Sequence, residues 1–218
     1  MPLIATNITA GYETGHTVVD GVSLTLPRAE IVGLTGASGC GKSTLARVLA
    51  DLHRPWSGTV SIDDHPLRGR PFSAPPPVRG AVAMLFQSPR AATDPRMTLS
   101  TIINQPRVIA GHRTNETEII ALAERVGLTP DLLTRRPDEV SEGQLQRACI
   151  ARALAQRPRY LICDEATAMF DPGTTAAIIR LILEVATDPG LGILLISHDH
   201  DLLESCCTTI DRLTPSVR

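Results

Sequence analysis

Residues 36–43 read Gly36-Ala37-Ser38-Gly39-Cys40-Gly41-Lys42-Ser43, a G-x-x-x-x-G-K-S run followed by Thr44. That spacing is the phosphate-binding P-loop pattern. Its glycines let backbone N–H groups turn inward around phosphate oxygens. Lys42 offers a compact, movable charge to β- and γ-phosphates, and Ser43 offers a hydroxyl to Mg²⁺. The helix that begins here aims its N-terminus at the anion. Gly36, Ser38, Gly39, Cys40, Gly41, Lys42, Ser43 and Thr44 are therefore candidate phosphate-binding residues. Lys42 is also the single lysine among the 21 basic residues of the chain. A glycine-rich turn into a helix would read the same way in isolation, so the flanking sequence has to decide.

Working outward, Ile31–Thr35 is a short apolar run that fits a buried parallel strand. Lys42–His53 reads as the helix it feeds, with Leu45, Val48, Leu49 and Leu52 on one face. This strand–loop–helix order is the context a P-loop requires. Upstream, Leu3–Thr9, Thr17–Val19 and Val22–Leu26 are short, branched and punctuated by turns, an antiparallel β signal. Thr59–Ile62 and Ala81–Phe86 read as further strands, and proline-rich Pro66–Pro77 as an irregular loop. From Thr98 to about Val140 the pattern becomes helical, at Thr101–Ala110, Asn115–Val126 and Pro130–Thr134. A helix is expected over Gly143–Gln156 and another over Pro172–Ala186, with strands at Tyr160–Cys163 and Gly192–Ile196. The alternation of strands and helices predicts an α/β fold: a mainly parallel sheet with helices on both faces, an N-terminal antiparallel part and a helical insertion.

The bulk numbers agree with a packed domain. The chain has 218 residues, 43% hydrophobic and 20% charged, enough to bury a sizeable core. A net charge of −2 argues against a dedicated nucleic-acid binder. Cys40, Cys149, Cys163, Cys206 and Cys207 show neither a C-x-x-C pair nor metal-ligand spacing, and read as free thiols of a reducing compartment. Cys40 sits where a helix start favours a thiolate; a small residue tolerated in a loop is the other reading. No secretory signal opens the sequence. No apolar run approaches the ~20 residues that span a bilayer, so a membrane role is expected to come through a partner.

Tyr160-Leu161-Ile162-Cys163-Asp164-Glu165 is an apolar strand ending in two carboxylates, the Walker B pattern. Phosphoryl transfer asks for positioning, a metal and a group that orients water. Asp164 is the candidate Mg²⁺ residue and Glu165 the candidate general base. Val140-Ser141-Glu142-Gly143-Gln144 lies just upstream, with Ser141 23 positions before Asp164. On its own it reads as a helix cap.

Taken with its continuation Leu145-Gln146-Arg147-Ala148-Cys149-Ile150-Ala151-Arg152-Ala153-Leu154, this segment resembles the signature of ATP-binding cassette (ABC) transporter ATPases, whose pattern is Leu-Ser-Gly-Gly-Gln. The resemblance covers about residues 3 to 213. It implies that Ser141, Glu142, Gly143 and Gln144 meet the γ-phosphate of ATP held by another subunit. It also implies a Q-loop glutamine at Gln87, touching Mg²⁺, and a switch histidine at His198, 34 residues after Asp164. Tyr12 matches the aromatic that stacks on adenine, and Ala168-Met169-Phe170-Asp171 fills the D-loop slot, with Asp171 its acid. Three departures stand out: Glu142 replaces the first signature glycine, Ala166 replaces a proline, and Met169-Phe170 replaces an Ala-Leu pair.

Phe86-Gln87-Ser88-Pro89-Arg90 and Thr93-Asp94-Pro95-Arg96-Met97-Thr98 resemble the stretch after the Q-loop in peptide and nickel importer ATPases. The last residue, Arg218, falls short of the extension usual in peptide members, which tilts the expectation toward nickel, metallophore or another small substrate. The resemblance thus implies an ATPase using ATP and Mg²⁺ with Lys42, Glu165 and His198 as catalytic residues. It implies a catalytic core of residues 1–87 and 151–218 and a helical subdomain of residues 88–150. Its expected partners are a second ATPase subunit, identical or different, two permease subunits and an extracytoplasmic binding protein. The expected location is the cytoplasmic face of the cell membrane. A cassette without a permease, of the iron–sulfur assembly type, and a non-hydrolysing regulatory module are the competing readings. The Phe86–Thr98 match opposes the first, and Glu165 with His198 opposes the second.

Overall fold

The computed structural model describes residues 2–13, 16–67, 78–168 and 170–214. It divides into two compact units: Met1–Met84 with Arg159–Glu165 and Ala186–Arg218, and Leu85–Pro158 with Ala166–Val185.

The first unit is built on two sheets. In one, β1 (Leu3–Gly11) lies between β2 (Thr17–Leu26) and β4 (Ser57–Ile62), with β5 (His65–Leu67) at the edge, all antiparallel. Leu3 pairs with both Leu26 and Ile62, and all three are fully buried. Ile4, one residue on, faces outward as the two-residue period of a strand demands. The sequence suggested two strands over 17–26. The structure runs them together because Gly21, at φ 61, absorbs the irregularity between them. A strand also forms at His65–Leu67, where the irregular loop was expected. It is an edge strand, where Pro66 is tolerated, and residues 68–77 of that loop lie outside the described residues.

The second sheet has the order β6-β7-β8-β3-β9, with β6 at Val82–Leu85, β7 at Tyr160–Asp164, β8 at Gly192–Ile196, β3 at Ile31–Gly36 and β9 at Thr209–Leu213. β7, β8, β3 and β9 are parallel neighbours. Every residue of β7 and β8 is buried, as strands covered on both faces require. Helix α1 (Lys42–Leu49) ends earlier than the expected His53, because Asp51 takes φ 61. Leu52, expected on the inner face, is consequently 46% exposed. The first unit ends with β9 and a helix at His200–Cys206, two elements that the apolar periodicity did not signal, since both are short and largely polar.

The second unit is helical. α2 (Leu99–Ile109) is capped by Thr98 and α3 (Glu116–Arg125) by Asn115, each accepting a backbone N–H through its side chain. Two 3₁₀ turns, Pro130–Thr134 and Pro137–Glu139, lead into α4 (Glu142–Ala155), and α5 is Pro172–Ala186. α4 buries nine of its 14 residues, and residues 148–151 are buried in succession. This is the pattern of a helix packed on several sides. Its buried Gln146 donates to the Ala166 carbonyl at 3.1 Å, so that a polar group with no access to water is satisfied. Among the described residues no helix is long and apolar enough to cross a membrane.

Candidate functional site

In the first unit the parallel register sets the geometry. Leu34 on β3 and Asp164 on β7 both pair with Ile196 on β8. The three strands therefore reach their carboxyl ends side by side. β3 opens there into the P-loop, β7 into Asp164-Glu165 and β8 into Ser197-His198, the edge at which parallel α/β sheets gather ligands.

The P-loop turns into α1 through Gly41, at φ 101. A Cβ there would stand 2.8 Å from the Val18 carbonyl oxygen, and Gly39 also takes a left-handed φ of 76. Only glycine enters these conformations without strain. Lys42 is 6% exposed, and its Nζ donates to the carbonyls of Gly36 at 2.9 Å and Ala37 at 3.1 Å. The same ammonium stands 3.9 Å from Glu165 Oε1. These contacts offset the cost of burying the charge. Cys40 is buried, as a small residue filling the loop would be, with Gly36 and Ala37 beside it.

Ser43 Oγ donates to Asp164 Oδ1 at 3.0 Å. Burial pushes the Asp164 carboxyl above the ordinary range, against the Ser43 hydrogen bond, which pulls the other way, and Glu165 adds to the rise. A hydroxyl beside a buried carboxylate is a hard-oxygen pair of the kind Mg²⁺ takes together with phosphate and water. Among the described residues no group of three or more His, Cys, Asp or Glu could hold a metal by itself. The pair thus fits an ion shared with a phosphate ligand better than a protein-only cage.

Glu165 takes φ 47, a left-handed conformation costly for a residue with a Cβ. Its N–H donates to Ile196 O at 3.1 Å, which holds the turn. The outcome is a carboxylate oxygen 3.9 Å from Lys42 Nζ and 3.9 Å from His198 Nδ1. The imidazole is mostly exposed, so it faces whatever enters the edge. Tyr12, just past β1, is 57% exposed. Its hydroxyl accepts from Arg47 at 2.6 Å and from Thr44 at 3.4 Å, both on α1. Its ring centroid is 5.1 Å from that of His53. Lys42, Ser43, Thr44, Asp164, Glu165, His198 and Tyr12 thus lie together in the first unit. Arg47 and His53 join them without any sequence signal, because only the approach of β1 to α1 gives them a partner.

The second unit carries the remaining candidates. Gln87 is exposed, just past β6. Ser141 caps α4 reciprocally with Gln144: its Oγ accepts the Gln144 N–H at 3.2 Å, and Gln144 Oε1 accepts the Ser141 N–H at 2.9 Å. A Cβ on Gly143 would stand 2.9 Å from Thr174 Cγ2, so a glycine lets the first turn of α4 lie close against Thr174. Glu142 is ion-paired with Arg90 at 2.7 Å, a partner that the sequence did not reveal. Asp171 accepts from Thr174 Oγ1 at 2.6 Å and from the N–H groups of Gly173 and Thr174. Those bonds, led by the hydroxyl, hold its carboxyl below the ordinary range. Met169 of the D-loop segment lies outside the described residues.

The family model described as ABC transporter matches residues 19–168, a stretch holding Lys42, Ser43, Asp164 and Glu165. This chain belongs to the ABC transporter family. Among its relatives, this ABC family member is 42% identical over 185 residues to a protein of Brucella abortus (strain 2308) named as a peptide import ATP-binding protein, covering 83% of this chain and 55% of that one. It is 38% identical over 206 residues to the nickel import ATP-binding protein NikE of Rhodospirillum rubrum, covering 92% and 73%. The chain therefore spans about half the length of the peptide-import relative. Its fold matches the dimeric, post-hydrolysis structure of the ATP-binding cassette MJ0796 bound to ADP and Pi, with a TM-score of 0.82, 23% identity and coverage of 99% and 97%. The α/β architecture expected from the sequence is thus that of an ABC cassette.

Proposed function

We propose that this chain is the ATP-hydrolysing subunit of an importer whose permease is made of separate chains, of the peptide, nickel or metallophore type. The observation that carries the reading is the grouping of Lys42, Glu165 and His198 at the carboxyl edge of the parallel sheet, with Ser43 and Asp164 beside them. Names of relatives in peptide and nickel import support the branch.

In this reading Tyr12 stacks on adenine, and Gly36 to Thr44 surround the phosphates. Lys42 leaves its loop carbonyls for the β/γ-phosphates. Ser43 and Asp164, with Gln87, hold Mg²⁺, which supplies charge neutralisation on the phosphate oxygens when bound. Glu165 orients a water and accepts its proton as the water oxygen bonds to the γ-phosphorus. The bond from that phosphorus to the bridging oxygen breaks, and ADP and inorganic phosphate leave. His198 reaches the γ-phosphate from β8. Ser141, Glu142, Gly143 and Gln144 meet the nucleotide of a second ATPase subunit, and Asp171 lies at that junction. Closure depends on γ-phosphate contacts that ADP cannot make, so hydrolysis reopens the pair. Residues 1–87 and 151–218 serve as the catalytic core and residues 88–150 as the helical subdomain. Two permease subunits anchor the ATPases at the cytoplasmic face of the membrane, and an extracytoplasmic binding protein delivers the substrate.

The test is purification of tagged wild-type and Glu165→Gln chains from native membranes in mild detergent with ATP and Mg²⁺. Permease subunits should accompany both. Turnover of the variant should fall by about 10²- to 10⁴-fold, the scale of a lost general base, with ATP retained. A chain that brings down no membrane protein overturns the transport reading, and unchanged turnover overturns the role of Glu165.

A further inference from the structure

The charge of Glu142 is unusual for its position. It is the first residue of α4, where an incoming phosphate would meet the N-terminal end of the helix dipole. A carboxylate standing there by itself would occupy that favourable field and repel the anion. The carboxylate does not stand by itself. Arg90 Nε donates to Glu142 Oε2 at 2.7 Å. The other two guanidinium nitrogens are engaged on the same segment, one donating to Pro137 O at 2.7 Å and one to Val140 O at 3.3 Å. One side chain thus grips the turn before α4, the residue before its cap and its first residue. On the far side, Gly143 packs against Thr174, whose hydroxyl and N–H are tied to Asp171.

Burial shows what this grip is for. Arg90 is 45% exposed and Glu142 34%, and an ion pair that open adds little to stability. Its consequence is directional. Arg90 ties down the Glu142 carboxylate and offsets its charge, beside the exposed Ser141 of the cap. Lysine could supply the charge but not the three-way planar fork.

We propose that Arg90 is a positioning residue for the α4 start, holding the Glu142 carboxylate off a partner subunit's ATP while the backbone at Glu142, with Ser141, Gly143 and Gln144, meets that nucleotide. This rests on the functional reading given above, in which Ser141–Gln144 meets that nucleotide. Arg90 and Glu142 therefore act as one unit, and Arg90 is needed because Glu142 is present.

The assembled complex is purified with wild-type, Arg90→Ala, Glu142→Gly, Arg90→Ala/Glu142→Gly or Arg90→Lys chains, and ATPase kinetics and Tm are measured. Arg90→Ala should raise KM for ATP about tenfold, the size of coupling expected of contacting charges, with Tm little changed. Arg90→Lys should fall between Arg90→Ala and wild type. Adding Glu142→Gly to Arg90→Ala should return KM to near the wild-type value. An unchanged KM in Arg90→Ala, or a double variant as impaired as Arg90→Ala, overturns the proposal, the latter by assigning Arg90 to the Pro137 and Val140 carbonyls alone. Should Arg90→Ala fail to assemble, Arg90→Gln with and without Glu142→Gln makes the same comparison, with KM raised in the single variant and restored in the double. Loss of turnover in Glu165→Gln alongside an unaltered KM in Arg90→Ala refutes only the Arg90 role. Full turnover in Glu165→Gln refutes the functional reading beneath it.

Discussion

Ser43 Oγ donates to Asp164 Oδ1 at 3.0 Å, joining the first turn of α1 to the end of β7 across 121 residues of sequence. The pair exists because β3, which feeds α1, and β7 are both parallel neighbours of β8 and end at the same level. A serine and an aspartate that are unremarkable by themselves become an oxygen-rich site where the sheet stops.

Asp164 should make the nucleotide-free protein less stable as pH rises. Burial raises its folded-state carboxyl above the ordinary value of 3.8, so the folded chain holds the proton more tightly than the unfolded one. The stability gained by the protonated form is complete below the ordinary value and is lost as pH climbs through the raised one. Urea unfolding of wild type and Asp164→Asn from about pH 4 to pH 7 should show wild type losing ground to the variant with rising pH. Parallel curves would mean that the folded carboxyl is not perturbed.

Gly41→Ala should be more damaging than Gly39→Ala. Both positions carry a left-handed φ, 101 and 76. At Gly41 the new methyl also meets Val18 O and Val19 Cγ2 at 2.8 Å, whereas nothing lies within 4 Å of it at Gly39. Backbone strain alone costs about 1–3 kcal/mol, and Gly41→Ala adds a clash with backbone that cannot swing aside. Denaturant unfolding and ATP affinity should rank the two variants in that order; equal losses would show that strain alone matters.

Tyr12→Ala and Tyr12→Phe should separate the ring from its hydroxyl. The hydroxyl is held by Arg47 and Thr44, while more than half of the side chain faces solvent. An aromatic–base stack is worth about 1–3 kcal/mol, so Tyr12→Ala should weaken ATP binding by roughly ten- to a hundredfold, and Tyr12→Phe far less. Equal affinity of Tyr12→Ala and wild type in an ATP titration would assign Tyr12 to packing on α1 alone.

Thiol labelling should reveal one ready cysteine in the native chain. Burial pushes Cys163 to about 12 and Cys207 to about 11, and it raises Cys149 as well. At pH 8 these groups are neutral thiols, poor nucleophiles toward a disulfide reagent. Cys40, Cys149 and Cys163 are buried besides. Cys206 should react first, the three buried thiols only on unfolding. Fast labelling of three or more native thiols would contradict the packing described for β7 and the P-loop.

The sequence was legible wherever a local pattern carries its own cause. G-x-x-x-x-G-K-S announces a turn that needs glycine and a helix that needs an opening, and an apolar run ending in Asp164-Glu165 announces a buried strand reaching an edge. β9 and the His200–Cys206 helix were not legible, since a polar edge strand and a two-turn helix have no apolar period to read. The early end of α1 was hidden because Leu52 continues the apolar face, while the left-handed turn at Asp51 breaks the helix before it.

The sequence by itself determined the family, the strand–loop–helix order and the residue types able to do the chemistry, because each depends on neighbours a few positions apart. Only the tertiary structure decided which groups meet. Lys42 stands 3.9 Å from Glu165, Arg47 takes the Tyr12 hydroxyl, and Arg90 takes the charge of Glu142. Each pair is separated by at least 35 residues, and interactions that fall off within a few ångströms cannot be read along a chain until folding has set the distance.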